Sequence, residues 1–334
     1  LILAFAFFGY LHLQTKKLPT KVSATAARIQ KSQPEEISTL SAERRNLLLA
    51  FDNFILETTA PKGWGRRRIF EIPFLASYKL LTQTTETLVK EIPETTVPVG
   101  KIKIWYVYNM GVVAKTKTST ICFDLAGPFP GSAVRKIFLM RDTIVTSHGH
   151  GDHYDPITLR AAAKNGATVI LPHGHTSGSL LTNIIRKISK GAKEKIIEIS
   201  PGESLKAGKA EISVYAADHR GDSDVENAWF VVDIDGIRIV HTGDGMIMGK
   251  NWEKVQPIDI FLMNEYFAPF DIRDSAAKTV IPLHFHELSH NRRFLEEAQY
   301  KNFLEKYEEI RSTIPNTKIL PLLWGEALEL NLQQ

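Results

Sequence analysis

A six-residue run, His148-Gly149-His150-Gly151-Asp152-His153, limits what this chain can fold into more than any other feature. It follows Ile144-Val145-Thr146, which reads as a short strand, and precedes Asp155-Pro156, which reads as the cap and first turn of a helix. On an extended loop the i, i+2 spacing lets the imidazoles of His148 and His150 reach one ion. Asp152 and His153 come where the chain turns toward the helix, and can point to a second ion about 3.5–4 Å away. Imidazole is the commonest side-chain ligand for zinc. Of the 11 histidines, all but His12 fall between positions 148 and 290. The one cysteine, Cys122, excludes a disulfide framework and a Cys-rich zinc site, and its apolar, β-rich neighbours make it a buried small hydrophobe.

Around this loop the pattern is β-rich from Gly100 onward. Strands are predicted over 101–108, 111–114, 120–125, 144–146, 168–171, 211–216, 229–234, 237–241, 258–263, 279–283 and 318–323. Helices are predicted over 156–165, closed by Gly166, and over 291–310. Two packed sheets flanked by helices follow from that alternation.

The first 97 residues differ. Leu1 to Leu13 is apolar and ends on Lys16-Lys17, about 13 residues against the ~20 needed to span a bilayer. Residues 1–19 are therefore expected to form a hydrophobic leader or anchor, with membrane association through the N-terminus. Residues 20–97 are expected to form a helical extension lying on a catalytic domain of residues 98–334, with one helix capped at Ser41 and a second over 74–89. Arg66-Arg67-Arg68 between Trp64 and Phe70 reads as a solvated turn, though it could touch anionic lipid. With 41 basic against 37 acidic residues and no basic block, nucleic acid is not an expected partner.

Further residues extend the loop into a family pattern. The chain resembles the metallo-β-lactamase superfamily, which carries H-x-H-x-D-H on a loop after a strand, then a lone His, an Asp and a last His at strand ends. Ala216-Ala217-Asp218-His219, Ile239-Val240-His241-Thr242-Gly243-Asp244 and Thr279-Val280-Ile281-Pro282-Leu283-His284 stand where these belong. The resemblance covers about residues 100 to 330 and is nearest to the branch of L-ascorbate-6-phosphate lactonases and N-acyl-phosphatidylethanolamine-hydrolysing phospholipase D. It implies an α/β fold, the four-layer αββα sandwich, here with a helical N-terminal extension. It also implies two divalent ions: one on His148, His150 and His219, the other on Asp152, His153 and His284, with Asp244 between them. Zinc is the default, and manganese or iron fits the same ligands. His241 competes with Asp244, and His286 and His290 compete with His284.

Two stretches depart from the branch. Asn109-Met110-Gly111 stands where a Gly-His pair is usual, and the interval from Met263 to His284 is short for the helix expected there. The resemblance implies hydrolysis of an ester, lactone or phosphodiester in a small or lipid-like substrate. A hydroxide held by the metal pair would attack, with Asp152 accepting its hydrogen bond. The alternatives are a di-iron redox protein on the same scaffold and a non-catalytic metal-binding protein. The first usually adds a flavodoxin-like domain, for which no Gly-rich flavin loop is present, and the second would be expected to lose ligands. His173, His175, Arg220 and Glu265 with Tyr266 lie where they could meet substrate, and their roles stay open.

Overall fold

Two seven-stranded sheets carry the structure, a computed structural model that describes residues 20–59, 72–127, 133–138, 142–173, 195–219, 227–245, 252–265, 269–288, 297–314 and 316–331. Helix α1 (residues 20–31), α2 (Ala42–Thr59) and α3 (Ile72–Glu94) come first. The first sheet follows, with β1 (Lys101–Tyr108), β2 (Gly111–Lys115), β3 (Thr120–Phe123), α4 (Val134–Phe138), β4 (Thr143–Val145), α5 (Pro156–Lys164), β5 (Thr168–Pro172) and β6 (Ile196–Ile199). The second sheet holds β7 (Ser204–Ala207), β8 (Ala210–Ala217), β9 (Asn227–Ile234), β10 (Ile237–His241), α6 (Trp252–Val255), β11 (Ile260–Asn264), α7 (Pro269–Ser275) and β12 (Thr279–Leu283). The chain closes with α8 (Gln299–Ile310), β13 (Lys318–Ile319) and β14 (Ala327–Asn331), which returns to β1.

Strand order is β14-β1-β2-β3-β4-β5-β6 in one sheet and β13-β12-β11-β10-β9-β8-β7 in the other. Each is a hybrid. β14 to β3 and β7 to β10 pair antiparallel, whereas β3 to β6 and β10 to β13 pair parallel. Following the pairings, β1, β3 and β4 point the same way in one sheet, and β8, β10, β11 and β12 do so in the other. Their C-terminal ends therefore gather at one edge of each sheet, where α/β sheets place their sites. This is the two-sheet, helix-flanked α/β architecture that the alternation of elements implied.

Three details correct the sequence reading. The interval after Met263 does hold a helix, α7, because seven residues suffice for two turns. Of the helix predicted over 291–310, residues 291–296 lie outside the described residues and the described part starts at Gln299. It starts there because the Asp52 carboxylate, from α2, accepts from the backbone N–H groups of Tyr300 and Lys301 and so caps it from outside the local sequence. The strand predicted over 318–323 pairs only at Lys318–Ile319, and the half-exposed strands β6, β7 and β14 lack the apolar runs that marked the others.

The N-terminal helices share one hydrophobic cluster with both sheets, running from Leu48, Phe51, Phe54 and Leu80 to Ile104, Phe123, Phe261 and Trp324. Ser41 caps α2 by accepting from the Arg44 N–H at 3.0 Å. The buried Arg44 guanidinium in turn grips the Glu326 carboxylate, with Nη2 to Oε2 at 2.7 Å, and the Pro321 carbonyl at 2.8 Å. Burying that ion pair is tolerated because both ends are hydrogen-bonded further, Glu326 also accepting from the Leu323 N–H at 2.7 Å. Among the described residues no helix is long and apolar enough to cross a membrane. The leader at 1–19 and the Arg66-Arg67-Arg68 run lie outside the described residues.

Candidate metal centre

Strand ends deliver the polar residues. β4 runs into the His-rich loop, β8 into His219, β10 into Asp244 and β12 into His284. The loop is pinned by backbone bonds: Thr146 N–H donates to Ile170 O at 3.1 Å, and Ala228 N–H donates to Ser147 O at 3.1 Å. Asp155 caps α5 through the N–H groups of Ile157 and Thr158, with Pro156 in the first turn.

Asp244 sits between two glycines for a steric reason. Gly243 has φ +54°, and a Cβ there would strike Ser147 Oγ. A Cβ on Gly245 would strike Asn227 Nδ2. Only glycines let the β10 turn approach the histidine loop closely enough to present its carboxylate.

Two groups of donor atoms share Asp244: His148, His150, His219 and Asp244 in one, and Asp152, His153, His284 and Asp244 in the other, and a third, Asp124, His148 and His153, overlaps both. Within each, all donor atoms lie within 4.8 Å of one another. The Asp244 carboxylate is common to the first two. Its Oδ2 is 3.9 Å from His148 Nε2, 3.9 Å from His219 Nε2 and 3.3 Å from His153 Nε2, while Oδ1 is 3.5 Å from His284 Nε2. Asp152 Oδ2 lies 3.2 Å from His153 Nε2 and 3.8 Å from His284 Nε2. Two donors each about 2.1 Å from one tetrahedral ion stand about 3.4 Å apart, so these separations suit a divalent cation.

Hydrogen bonds outside the first two groups fix the tautomers. His153 Nδ1 meets Asp124 Oδ2 at 2.8 Å, and His148 Nδ1 meets Ser147 Oγ at 2.9 Å. Ser147 Oγ donates to the same Asp124 oxygen at 2.5 Å. The buried Asp124 thus orients a histidine of each group and leaves their Nε2 lone pairs facing inward. Asn264, at the end of β11, donates from Nδ2 to Asp244 Oδ1 at 2.7 Å. Asn109, at the β1–β2 turn, donates from Nδ2 to Asp152 Oδ2 at 3.0 Å.

Two tests support a cation. Among the described residues neither of the buried ring nitrogens of the half-buried His219 has a hydrogen-bond partner, a costly arrangement unless one lone pair is used otherwise. The electrostatics agree. Burial works against charge on His153, yet the Asp244 and Asp152 carboxylates hold its pKa well above the ordinary histidine value. His284 is raised likewise, by Asp244 against burial. Asp244 stays well below the usual carboxylate range despite its burial, because His153 and His284 face it. Burial, with His153 alongside, holds His148 well below its usual value, so it offers a lone pair. Positive charge is favoured on the side of His153 and His284, while burial holds His150 down as it does His148.

Of the sequence candidates, His148, His150, Asp152, His153, His219, Asp244 and His284 come together. His241 does not join them: its Nε2 meets Met110 O at 3.2 Å, its Nδ1 accepts from the Gly243 N–H at 3.3 Å, and it stacks on Phe123. His286 Nε2 meets Asp52 Oδ1 at 2.6 Å instead. His173 is exposed at the end of β5, and Glu265 is buried beyond β11, neither in a donor group. His175, Arg220, Tyr266 and His290 lie outside the described residues. Asp124, Asn264 and Asn109 were missed as site residues. The available signal was a polar residue closing an apolar strand that ends at the same edge.

The sequence matches the Beta-lactamase superfamily domain over residues 122–285. It is 27% identical over 124 residues to a metal-dependent hydrolase of Archaeoglobus fulgidus, covering 34% of this chain and 49% of that protein. A metal-dependent hydrolase of Thermococcus kodakarensis is 26% identical over 148 residues, covering 43% and 57%. The chain thus spans about half the length of the curated relatives it matches. Among solved structures, Igni18, a metallo hydrolase of Ignicoccus hospitalis, superposes with TM-score 0.51 at 16% identity over 69% of this chain and 98% of that one. CmlA, a diiron beta-hydroxylase of Streptomyces venezuelae, superposes with TM-score 0.52 at 14% identity over 71% and 55%. The matched stretch and the strand-end loop make residues 122–285 similar to the Beta-lactamase superfamily domain, on a two-sheet fold that these solved structures share.

Proposed function

We propose that the chain is a metal-dependent hydrolase that cleaves an ester, lactone or phosphodiester bond at a centre of two divalent cations. The observation that carries this reading is the Asp244 carboxylate shared by two donor groups. When bound, such cations supply a water acidic enough to lose its proton near neutral pH and offset charge growing on a substrate oxygen.

The chain's own residues do the rest. His148, His150 and His219 would hold one cation, Asp152, His153 and His284 the other, and Asp244 would serve both. Asp152 would accept a hydrogen bond from the attacking water and so aim it. Asp124, through Ser147 and His153, keeps the imidazoles from turning. Nitrogen and oxygen donors without a thiolate suit zinc, and manganese or iron accepts the same set. The hydrolase names of the archaeal relatives support the reading.

A substrate panel of phosphodiesters, acyl lactones and N-acyl phospholipids, run with zinc and with manganese, tests it. Turnover of one class, abolished by a chelator and restored by metal, is expected. Metal-loaded protein that turns over none of them but holds redox-active iron would contradict it.

A further inference from the structure

Asn109 is held in place at a cost in both backbone conformation and burial. Its backbone has φ +55°, a left-handed conformation that glycine adopts freely and asparagine only at a cost. Its side chain is fully buried, and among the described residues its Oδ1 has no hydrogen-bond partner. Both terms would vanish with glycine, so something at this position offsets them.

What offsets them is contact with three of the four donors of the second group. Nδ2 donates to Asp152 Oδ2 at 3.0 Å and to the Asp152 main-chain oxygen at 3.2 Å, gripping that residue by side chain and backbone at once. The Asn109 carbonyl accepts from the His284 N–H at 2.8 Å, which fixes the end of β12. Nδ2 also lies 3.5 Å from His153 Nε2. With both amide hydrogens given to Asp152, that nitrogen's lone pair is left for a cation. The amide cannot be reversed, because Oδ1 would then face a carboxylate oxygen.

We propose that Asn109 is a positioning residue that preorganises Asp152 for the second cation. The inference rests on the two-cation reading above and concerns the donor group of Asp152, His153 and His284. Each carboxylate oxygen has two lone pairs, so donation from Asn109 leaves Asp152 Oδ2 able to bind. Without the amide, Asp152 loses two of the bonds that hold it, and the second site has to order more of its own ligand on binding.

Cobalt(II) titration of the full chain, followed by ligand-field absorption and chelator competition, tests this on wild type, N109G and N109A. N109G removes the side chain while relaxing the φ strain and keeping the carbonyl that holds His284. For N109G we expect an unchanged or raised Tm without metal, a first cobalt bound as in wild type, and a second weakened by about 10–100-fold. The kcat should fall at saturating substrate, with excess cobalt restoring it and KM little moved. If N109G does not fold, N109A carries the same expectation for the second cobalt. Two cobalt ions held by either folded variant as tightly as by wild type would overturn the role of Asn109 alone. A wild-type chain that binds no cobalt would instead bring down the two-cation reading.

Discussion

The two halves of the centre are built differently. Asp152, His153 and His284 are tied to the scaffold from several directions, by Asn109, by Asp124 and by the Asn109 carbonyl on the His284 N–H. In the other half, His148 leans on Ser147 and on His150, whose Nδ1 stands 3.1 Å from His148 Nε2. His219 has no hydrogen-bond partner for either ring nitrogen among the described residues. The second half is held by bonds from more directions than the first. Preorganisation of that kind lowers the ordering cost of a ligand, so the halves should differ in affinity and in their response to neighbours.

The largest effect is expected at Asp244, the residue the halves share. Asp244→Ala should weaken both cations and cut kcat/KM by on the order of a thousandfold, since several kcal/mol of charge stabilisation converts at about 1.4 kcal/mol per tenfold. Steady-state kinetics with metal analysis checks it, and loss of only one cation would show that Asp244 serves one half. Next comes Asp124→Ala, which unties a histidine in each half. About a 10–100-fold loss of affinity is expected at both sites, read by chelator competition. A loss confined to the second site would mean that the Ser147 link to His148 carries little.

Smaller effects lie outside the centre. Asp52→Ala removes the carboxylate that caps α8 and bonds His286, leaving buried donors unpaired, and should destabilise the fold by about 1–3 kcal/mol. Denaturant titration reads this, and cobalt affinity should follow stability only through the folded fraction. His241→Ala should cost packing against Phe123 and leave both cations in place, with kcat changed by less than about tenfold.

Which parts of this arrangement were legible in the sequence follows from how local each signal is. The His-rich loop, the Asp155 cap and the strands that are apolar throughout announce themselves in adjacent residues. His219, Asp244 and His284 needed the family resemblance, because nothing nearby distinguishes them from His241 or His286. Asp124, Asn264 and Asn109 become site residues only when strand pairing, parallel at β3 and β11 and antiparallel at β1–β2, brings these strand ends together, a long-range fact. The start of α8 was hidden for the same reason, its cap being Asp52 from more than two hundred residues away. Asn109-Met110-Gly111 was visible as a departure, yet the grip of Asn109 on Asp152 is a tertiary contact.

Anomalous diffraction from crystals grown with zinc would locate the cations themselves. Two zinc peaks per chain are expected, one about 2.1 Å from nitrogens of His148, His150 and His219 and one equally close to His153 and His284 with a carboxylate oxygen of Asp152. The Asp244 carboxylate should touch both. A single peak, or one bound by His241 with Asp244 turned away, would contradict a two-cation centre shared through Asp244.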